Sequence, residues 1–196
     1  MRYISIDSSL SHTGWAVGTI TDKIGLNNGS EITVDAIGLI TTESETKKLN
    51  VRASSDTVRR CRKTASELSN VMDMYKPDII FAEIPTGSQS ANGMKSYGAT
   101  CQLIAFMRPD PIEISPTEAK TAATNNKTAS KEEIIRWAYN KYPNLEWHIS
   151  PRGIDIDGVK LARDNEHMAD AIAIAHAGIK TPEYSRLKSI INGNKL

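Results

Sequence analysis

Three strand-like stretches near the start of the chain constrain its fold most. Residues 2–8, 13–20 and 31–41 are rich in β-branched and aromatic residues, and polar turn residues at 27–29 precede the third. Consecutive strands with short links pair as antiparallel neighbours. The sequence therefore predicts that the fold begins with an antiparallel three-stranded meander.

Helices and short apolar strands follow this meander. Apolar residues at steps of three and four predict a helix over 56–75, with Ser54 or Ser55 as its cap and Arg60 on its outer face. Later helices are predicted over 94–107, from 116 to a break at 125–127, over 130–141, and over 164–178 with Asp164 or Asn165 as the cap. A strand buried on both faces is predicted over 79–82, and a fifth strand over 111–115. The pattern predicts an α/β protein.

Residues 143–163 show no clear periodicity and contain two prolines and two glycines. This stretch is predicted to be a long surface segment, in the form of a flap or a short hairpin. It would be inserted into a single domain that covers residues 1–196. Asp155 and Asp157 within it are interpreted as turn residues.

Composition limits the function classes. The chain has 196 residues and no apolar run close to the roughly 20 needed to cross a membrane. With no signal-peptide pattern and two cysteines without metal-site spacing, we expect a cytoplasmic protein with reduced thiols. Net charge is +1, but residues 43–63 carry seven basic and three acidic side chains. That excess suits a polyanion, although a solvated surface is the more common explanation of any single cluster.

Acidic residues recur where a carboxylate is costly. Asp7 ends the first strand, Glu83 follows the apolar run at 79–82, and Asp170 lies in an alanine- and isoleucine-rich helix with His167 three residues earlier. Asp7 alone could equally be a turn residue. Several acids together favour a site for hard cations such as Mg²⁺, which prefer oxygen ligands.

These residues resemble the RuvC-type Holliday junction resolvases of the RNase H-like superfamily. The resemblance is carried by Asp7-Ser8-Ser9-Leu10-Ser11-His12-Thr13-Gly14-Trp15-Ala16, by Phe81-Ala82-Glu83, and by His167-Met168-Ala169-Asp170-Ala171-Ile172-Ala173-Ile174-Ala175. A weaker match is Asn126-Lys127-Thr128-Ala129-Ser130-Lys131. Together these matches span nearly the whole chain.

The resemblance implies a fold and an activity. The expected fold is an RNase H-like five-stranded mixed sheet, with three antiparallel strands and then parallel additions, flanked by helices. The expected activity is resolution of four-way DNA junctions. The departures from the family described below leave forks and flaps open as further substrates. Cleavage would occur by paired, metal-dependent nicks in a homodimer that uses two Mg²⁺ ions, with Mn²⁺ as a substitute. Asp7, Glu83 and Asp170 would be metal ligands, with His167 as a ligand or as the group that handles the water proton. By the weaker match, Lys131 would approach the DNA backbone, and Lys127 lies in the same basic stretch. Independently of the resemblance, the basic outer face of the helix predicted over 56–75 makes Arg59, Arg60, Arg62 and Lys63 candidates to hold DNA phosphates.

The sequence also departs from the resembled family. Ser8-Ser9 stands where bacterial members usually have Pro-Gly, and residues 84–87 contain no aromatic residue. These differences suggest a divergent relative, either phage-borne or organellar. Two alternatives stay open: an ATP-binding protein of the actin and sugar-kinase type, and a non-catalytic DNA-binding member of the same fold. Length weighs against the first, because that architecture needs two such domains.

Overall fold

The computed structural model describes residues 1–22, 29–46 and 51–193. The first three strands are β1 (Arg2–Ser8), β2 (His12–Asp22) and β3 (Ser30–Thr41). β2 pairs antiparallel with both β1 and β3, so the predicted meander is confirmed. Asn27, Asn28, Lys47 and Lys48, which entered the predictions of a turn and a basic cluster, lie outside the described residues.

The remaining elements complete a layered α/β fold. Chain order is α1 (Ala53–Tyr75), β4 (Ile79–Glu83), α2 (Ala91–Ala105), β5 (Ile112–Ile114), α3 (Pro116–Thr124), α4 (Lys131–Lys141), β6 (Ile149–Ile156), β7 (Val159–Leu161), α5 (Asn165–Gly178) and α6 (Pro182–Gly193). The main sheet has the order β3-β2-β1-β4-β5, and its β1–β4 and β4–β5 pairs are parallel. The predicted five-stranded mixed sheet is therefore confirmed, whereas α6 was not predicted.

Side chains of the central strands point alternately to the two faces of the sheet, and each face packs against a separate hydrophobic core. Tyr3 and Phe81 face the core that contains α3, α4 and α5, whereas Ile4, Ile6 and Ile80 face the core that contains α1 and α2. Successive strand residues point to opposite faces. Asp7, next to the last residue of β1, and Glu83, the last residue of β4, therefore face α5.

Helix α1 differs from its prediction at its start and on its buried face. It begins at Ala53 after Arg52 and has no side-chain cap, so Ser54 and Ser55 do not cap it. Arg60 is only 8% exposed, so its predicted outward position is wrong. Its guanidinium donates hydrogen bonds to Thr42 Oγ1 at 2.9 Å and to the Leu10 carbonyl at 3.1 Å. The loops beside this end of α1 expose backbone acceptors, which a buried arginine satisfies better than an apolar residue.

Residues 149–161 form a separate two-stranded hairpin of β6 and β7. The short hairpin, one of the predicted forms of this stretch, is therefore present. Ile156 and Leu161 are fully buried in the main core, so the prediction of a surface segment is wrong for its apolar part. Asp155 accepts a hydrogen bond from the Gly158 amide, and Asp157 has φ of 50°, as expected of turn residues.

Helix α5 begins without the predicted cap. Neither Asp164 nor Asn165 accepts a capping hydrogen bond at its start. The Asn165 side chain instead bonds to the backbone of His148 and Ala162. Among the described residues, no helix is both long and apolar enough to cross a membrane.

A buried histidine on α5 predicts acid sensitivity. Burial, with Lys141 and Lys180 nearby, lowers the pKa of His176 from 6.5 to about 3. The unfolded chain therefore binds one more proton between these values, and this contribution to stability is lost as pH falls below 6.5. We expect the free energy of unfolding to fall more steeply from pH 6.5 to 4 in wild type than in His176→Gln. Urea denaturation at several pH values measures this, and parallel pH profiles would contradict it.

Candidate active site

The strand register brings two acids to the same edge of the sheet. Ile6 pairs with Ala82 across the parallel β1–β4 ladder, so Asp7 and Glu83 are the next residues along each strand. Both are at positions that face α5. Parallel strands end at the same edge, so the two carboxylates converge without any special loop.

Helix α5 adds a histidine and a third acid at this edge. His167 Nδ1 lies 2.7 Å from Asp7 Oδ2, and the side chains are 18% and 15% exposed. Close packing of β2 on α5 sets this contact: a Cβ added to Gly14, the strand partner of Asp7, would lie 2.0 Å from the His167 carbonyl oxygen. Only glycine allows that approach. Asp170 lies within Coulombic reach of Asp7 and His167.

The electrostatics reflect crowded negative charge. Burial, together with the charges of Asp7 and Asp170, raises the pKa of Glu83 to about 8. Burial and the charge of Asp7 likewise raise the pKa of Asp170 to about 7. Burial opposes protonation of His167, but the hydrogen bond and charge of Asp7 outweigh it and raise the pKa of the imidazole. Such an arrangement favours binding of a cation.

The donor set fits a hard divalent cation by its chemistry. Carboxylate oxygens dominate it, and their mutual repulsion is what a bound cation would relieve. Within residues 1–22, 29–46 and 51–193, however, no three His, Cys, Asp or Glu side chains form a ready-made metal cluster.

Three polar residues near this cluster were not predicted as site residues. The His12 ring stacks on His167 with a centroid separation of 5.1 Å and an interplanar angle of 8°. Glu166 Oε1 lies 3.5 Å from His167 Nε2 and 2.8 Å from Lys131 Nζ. Lys120 on α3 is close enough to Glu83 to favour its ionised form. The stretch after Asp7 could have indicated His12, since it begins the strand paired with β1.

The basic residues predicted to hold DNA occupy different environments. Arg62, Lys63, Lys127 and Lys131 are exposed. Arg59 pairs with Asp56 at 2.8 Å, and Arg60 is the buried residue described above. Arg60 also donates to Ser11 Oγ at 2.7 Å, which holds the turn between Asp7 and His12. The start of α1 therefore lies at the same end of the sheet as the acids.

Comparison with solved structures identifies the fold. No protein-family model matches the sequence, and no curated protein matches it. The RuvC structure of Thermus thermophilus in complex with Holliday junction substrate is 19% identical, with a TM-score of 0.58 over 90% of this chain and 92% of RuvC. Another Thermus thermophilus RuvC structure is 18% identical, with a TM-score of 0.55 over 96% and 97% of the two chains.

The chain is an α/β protein with the RNase H-like fold. More narrowly, its fold is that of RuvC, and the resemblance predicted from the sequence is confirmed at this level.

Removal of one buried charge should stabilise the metal-free protein. Because the pKa of Glu83 is raised from 4.5 to about 8, the folded state binds the extra proton, and stability falls as pH rises through this window. We expect Glu83→Gln to raise the free energy of unfolding at pH 9 by about 1–3 kcal/mol, at about 1.4 kcal/mol per pKa unit.

Denaturation in EDTA at pH 5 and pH 9 measures the effect. The exposed Glu113→Gln on β5 is the matched control and should leave stability nearly unchanged at both values. Equal stabilities of wild type and Glu83→Gln at pH 9 would contradict the electrostatic interpretation.

Proposed function

We propose that this protein is a divalent-metal-dependent endonuclease that nicks branched DNA, with the four-way junction as its main substrate. The observation that carries the proposal is the convergence of Asp7, Glu83 and Asp170 from β1, β4 and α5 at one edge of the sheet. The RuvC fold supports it, because one of the similar structures is a complex with a Holliday junction.

The three carboxylates would hold the metal, with Mg²⁺ expected, two ions in number, and Mn²⁺ as the expected substitute. Bound there, the metal would activate water and stabilise the leaving oxygen of a phosphodiester. Asp7 has a second role in this proposal, since its Oδ2 fixes the ring of His167 through Nδ1. His167 either adds a ligand or accepts the proton of the attacking water.

Exposed cations near the site would position the DNA backbone. Lys131 projects from the start of α4 and is paired with Glu166, so a phosphate would compete with that carboxylate for its ammonium. Arg62 and Lys63 on α1, and Lys127 before α4, would hold phosphates farther along the strand. Such contacts make binding salt-dependent and largely independent of sequence.

Paired nicks across a junction require two active sites. A homodimer, each copy with its own carboxylate cluster, is therefore part of the proposal.

Arg59 and Arg60 would stabilise the loops beside the site rather than bind DNA phosphates directly, because their guanidinium groups already donate hydrogen bonds to neighbouring protein acceptors.

A synthetic four-way junction with Mg²⁺ tests the activity. We expect wild type to make symmetric nicks and Asp7→Asn to lose at least about 100-fold in rate, because a metal contributes several kcal/mol to such a transition state. Gel analysis of end-labelled arms measures the nicks. The control is Asp110→Asn, an exposed acid paired with Arg108.

Other outcomes would replace the proposal. Tight junction binding without nicks in Mg²⁺ or Mn²⁺ would favour the non-catalytic DNA-binding alternative. ATP hydrolysis without nicks would favour the actin and sugar-kinase type. Forks and flaps assayed in parallel define how selective the nuclease is for four-way junctions.

The stacked histidine should act through its ring face. His12→Ala removes the surface against which His167 packs, whereas His12→Phe retains an aromatic face. We expect single-turnover nicking to fall about 10-fold in the alanine variant and to stay within about 3-fold of wild type in the phenylalanine variant, because a stacked pair contributes about 0.5–1.5 kcal/mol. Equal losses in both variants would assign the effect to the His12 nitrogens instead.

A further inference from the structure

A wide bulge interrupts the β6–β7 hairpin. Ile149 and Ile154 both pair with Leu161, so residues 150–153 loop out between them. Gly153 permits the return of the strand, since an added Cβ would lie 2.0 Å from the Leu161 carbonyl oxygen. Bulges commonly redirect side chains beside active sites.

The base of this hairpin is fixed to the start of α5. Asn165 is fully buried, and its Nδ2 donates to the carbonyls of His148 and Ala162, each at 2.8 Å. Its Oδ1 accepts from the His148 amide at 3.0 Å. Because His167 is two residues beyond Asn165, the same helical turn positions both the hairpin and the candidate active site.

A second contact places the bulge at the rim of the site. The Nδ1 atom of His148, the residue before Ile149, lies 3.0 Å from Oδ2 of Asp164. Asp164 in turn is within Coulombic reach of His12, whose ring covers His167. The chain therefore leaves the rim of the site at His148 and enters the bulge directly.

The exposed groups of the bulge suit a nucleic-acid strand. Ile149 is 64% exposed although it lies in a strand, and Pro151 and Arg152 are exposed beside it. Arg163 is exposed two residues beyond Leu161, at the same base. Asp155, Asp157 and Lys160 lie toward the opposite, turn end of the hairpin, whereas Arg152 and Arg163 lie near its base, where the neighbouring acid Asp164 is already paired with His148. Glu146, two residues before His148, is a further exposed acid near the base.

We propose that Ile149, Pro151, Arg152 and Arg163, the bulge surface, form a second contact for the DNA strand bound at the candidate active site. Arg152 and Arg163 bind backbone phosphates, and Ile149 packs on a sugar or base. This inference rests on the proposed function, because it assumes that branched DNA is the ligand.

Binding in the absence of metal tests the contact without relying on turnover. Fluorescence anisotropy with a labelled four-way junction in EDTA is recorded over a range of salt concentrations. We expect Arg152→Ala to weaken binding about 3- to 30-fold and to reduce the slope of log K against log salt by about 1, the value for one lost phosphate contact. Ile149→Ala should weaken binding about 3-fold or more with an unchanged slope.

Matched controls lie at the opposite end of the sheet. Helix α6 packs there through Tyr184 and Lys188, which contact Ser30. It carries the exposed Arg186 and Ile190, the latter 62% exposed. Arg186→Ala and Ile190→Ala should bind the junction as wild type does. Arg152→Lys should restore the salt slope, and thermal melts confirm that each variant is folded.

The outcomes separate this inference from the proposed function. If wild type binds and nicks the junction while Arg152→Ala and Ile149→Ala match the α6 controls, the bulge surface is not a DNA contact and the nuclease proposal stands. If wild type neither binds nor nicks the junction, both proposals are overturned. The contact is supported if Arg152→Ala binds the junction more weakly and with a reduced salt slope, while Arg152→Lys and Arg186→Ala keep the wild-type slope.

Discussion

The hydrogen bond between His167 and Asp7 joins residues 160 positions apart in the chain. It closes the final core helix onto the first strand, and the rest of the candidate site is arranged around it. Gly14 allows the close approach, His12 covers the imidazole, and Glu166 flanks its second nitrogen. A misplacement of any of these elements would separate the acid from the histidine, so the site depends on the complete fold.

The close carboxylates at this end of the sheet lower the stability of the fold. Burial raises the pKa values of Glu83 and Asp170, the charge of Asp7 adds to both shifts, and the charge of Asp170 adds to that of Glu83. A core selected for stability alone would place apolar residues at these positions. The retention of ionisable groups where their ionisation destabilises the fold is typical of sites that are completed by a ligand.

The sequence was sufficient to predict much of this arrangement. Strand ends are readable from composition, so Asp7 and Glu83 could be placed at one sheet edge, and the spacing of His167 and Asp170 placed them on one helix face. Arg60 was misjudged because helical periodicity assumes an apolar buried face, whereas here the buried face meets loop carbonyls. A short hairpin was one of the forms predicted for residues 143–163, but the burial of Ile156 and Leu161 was not predicted, because the bulge breaks the two-residue period that marks a half-buried strand. His12 and Lys120 depend on contacts between distant elements, which no local pattern reports.

The buried amide of Asn165 makes the hairpin difficult to remove. Its three hydrogen bonds are all made to residues 148 and 162, which lie immediately outside the two strands. A shortened chain that joined α4 directly to α5 would leave these polar atoms in the core without partners, at about 1–3 kcal/mol for each unsatisfied group. The hairpin and the first turn of α5 therefore form one interdependent unit. A viable truncation would have to replace the asparagine with an apolar residue at the same time.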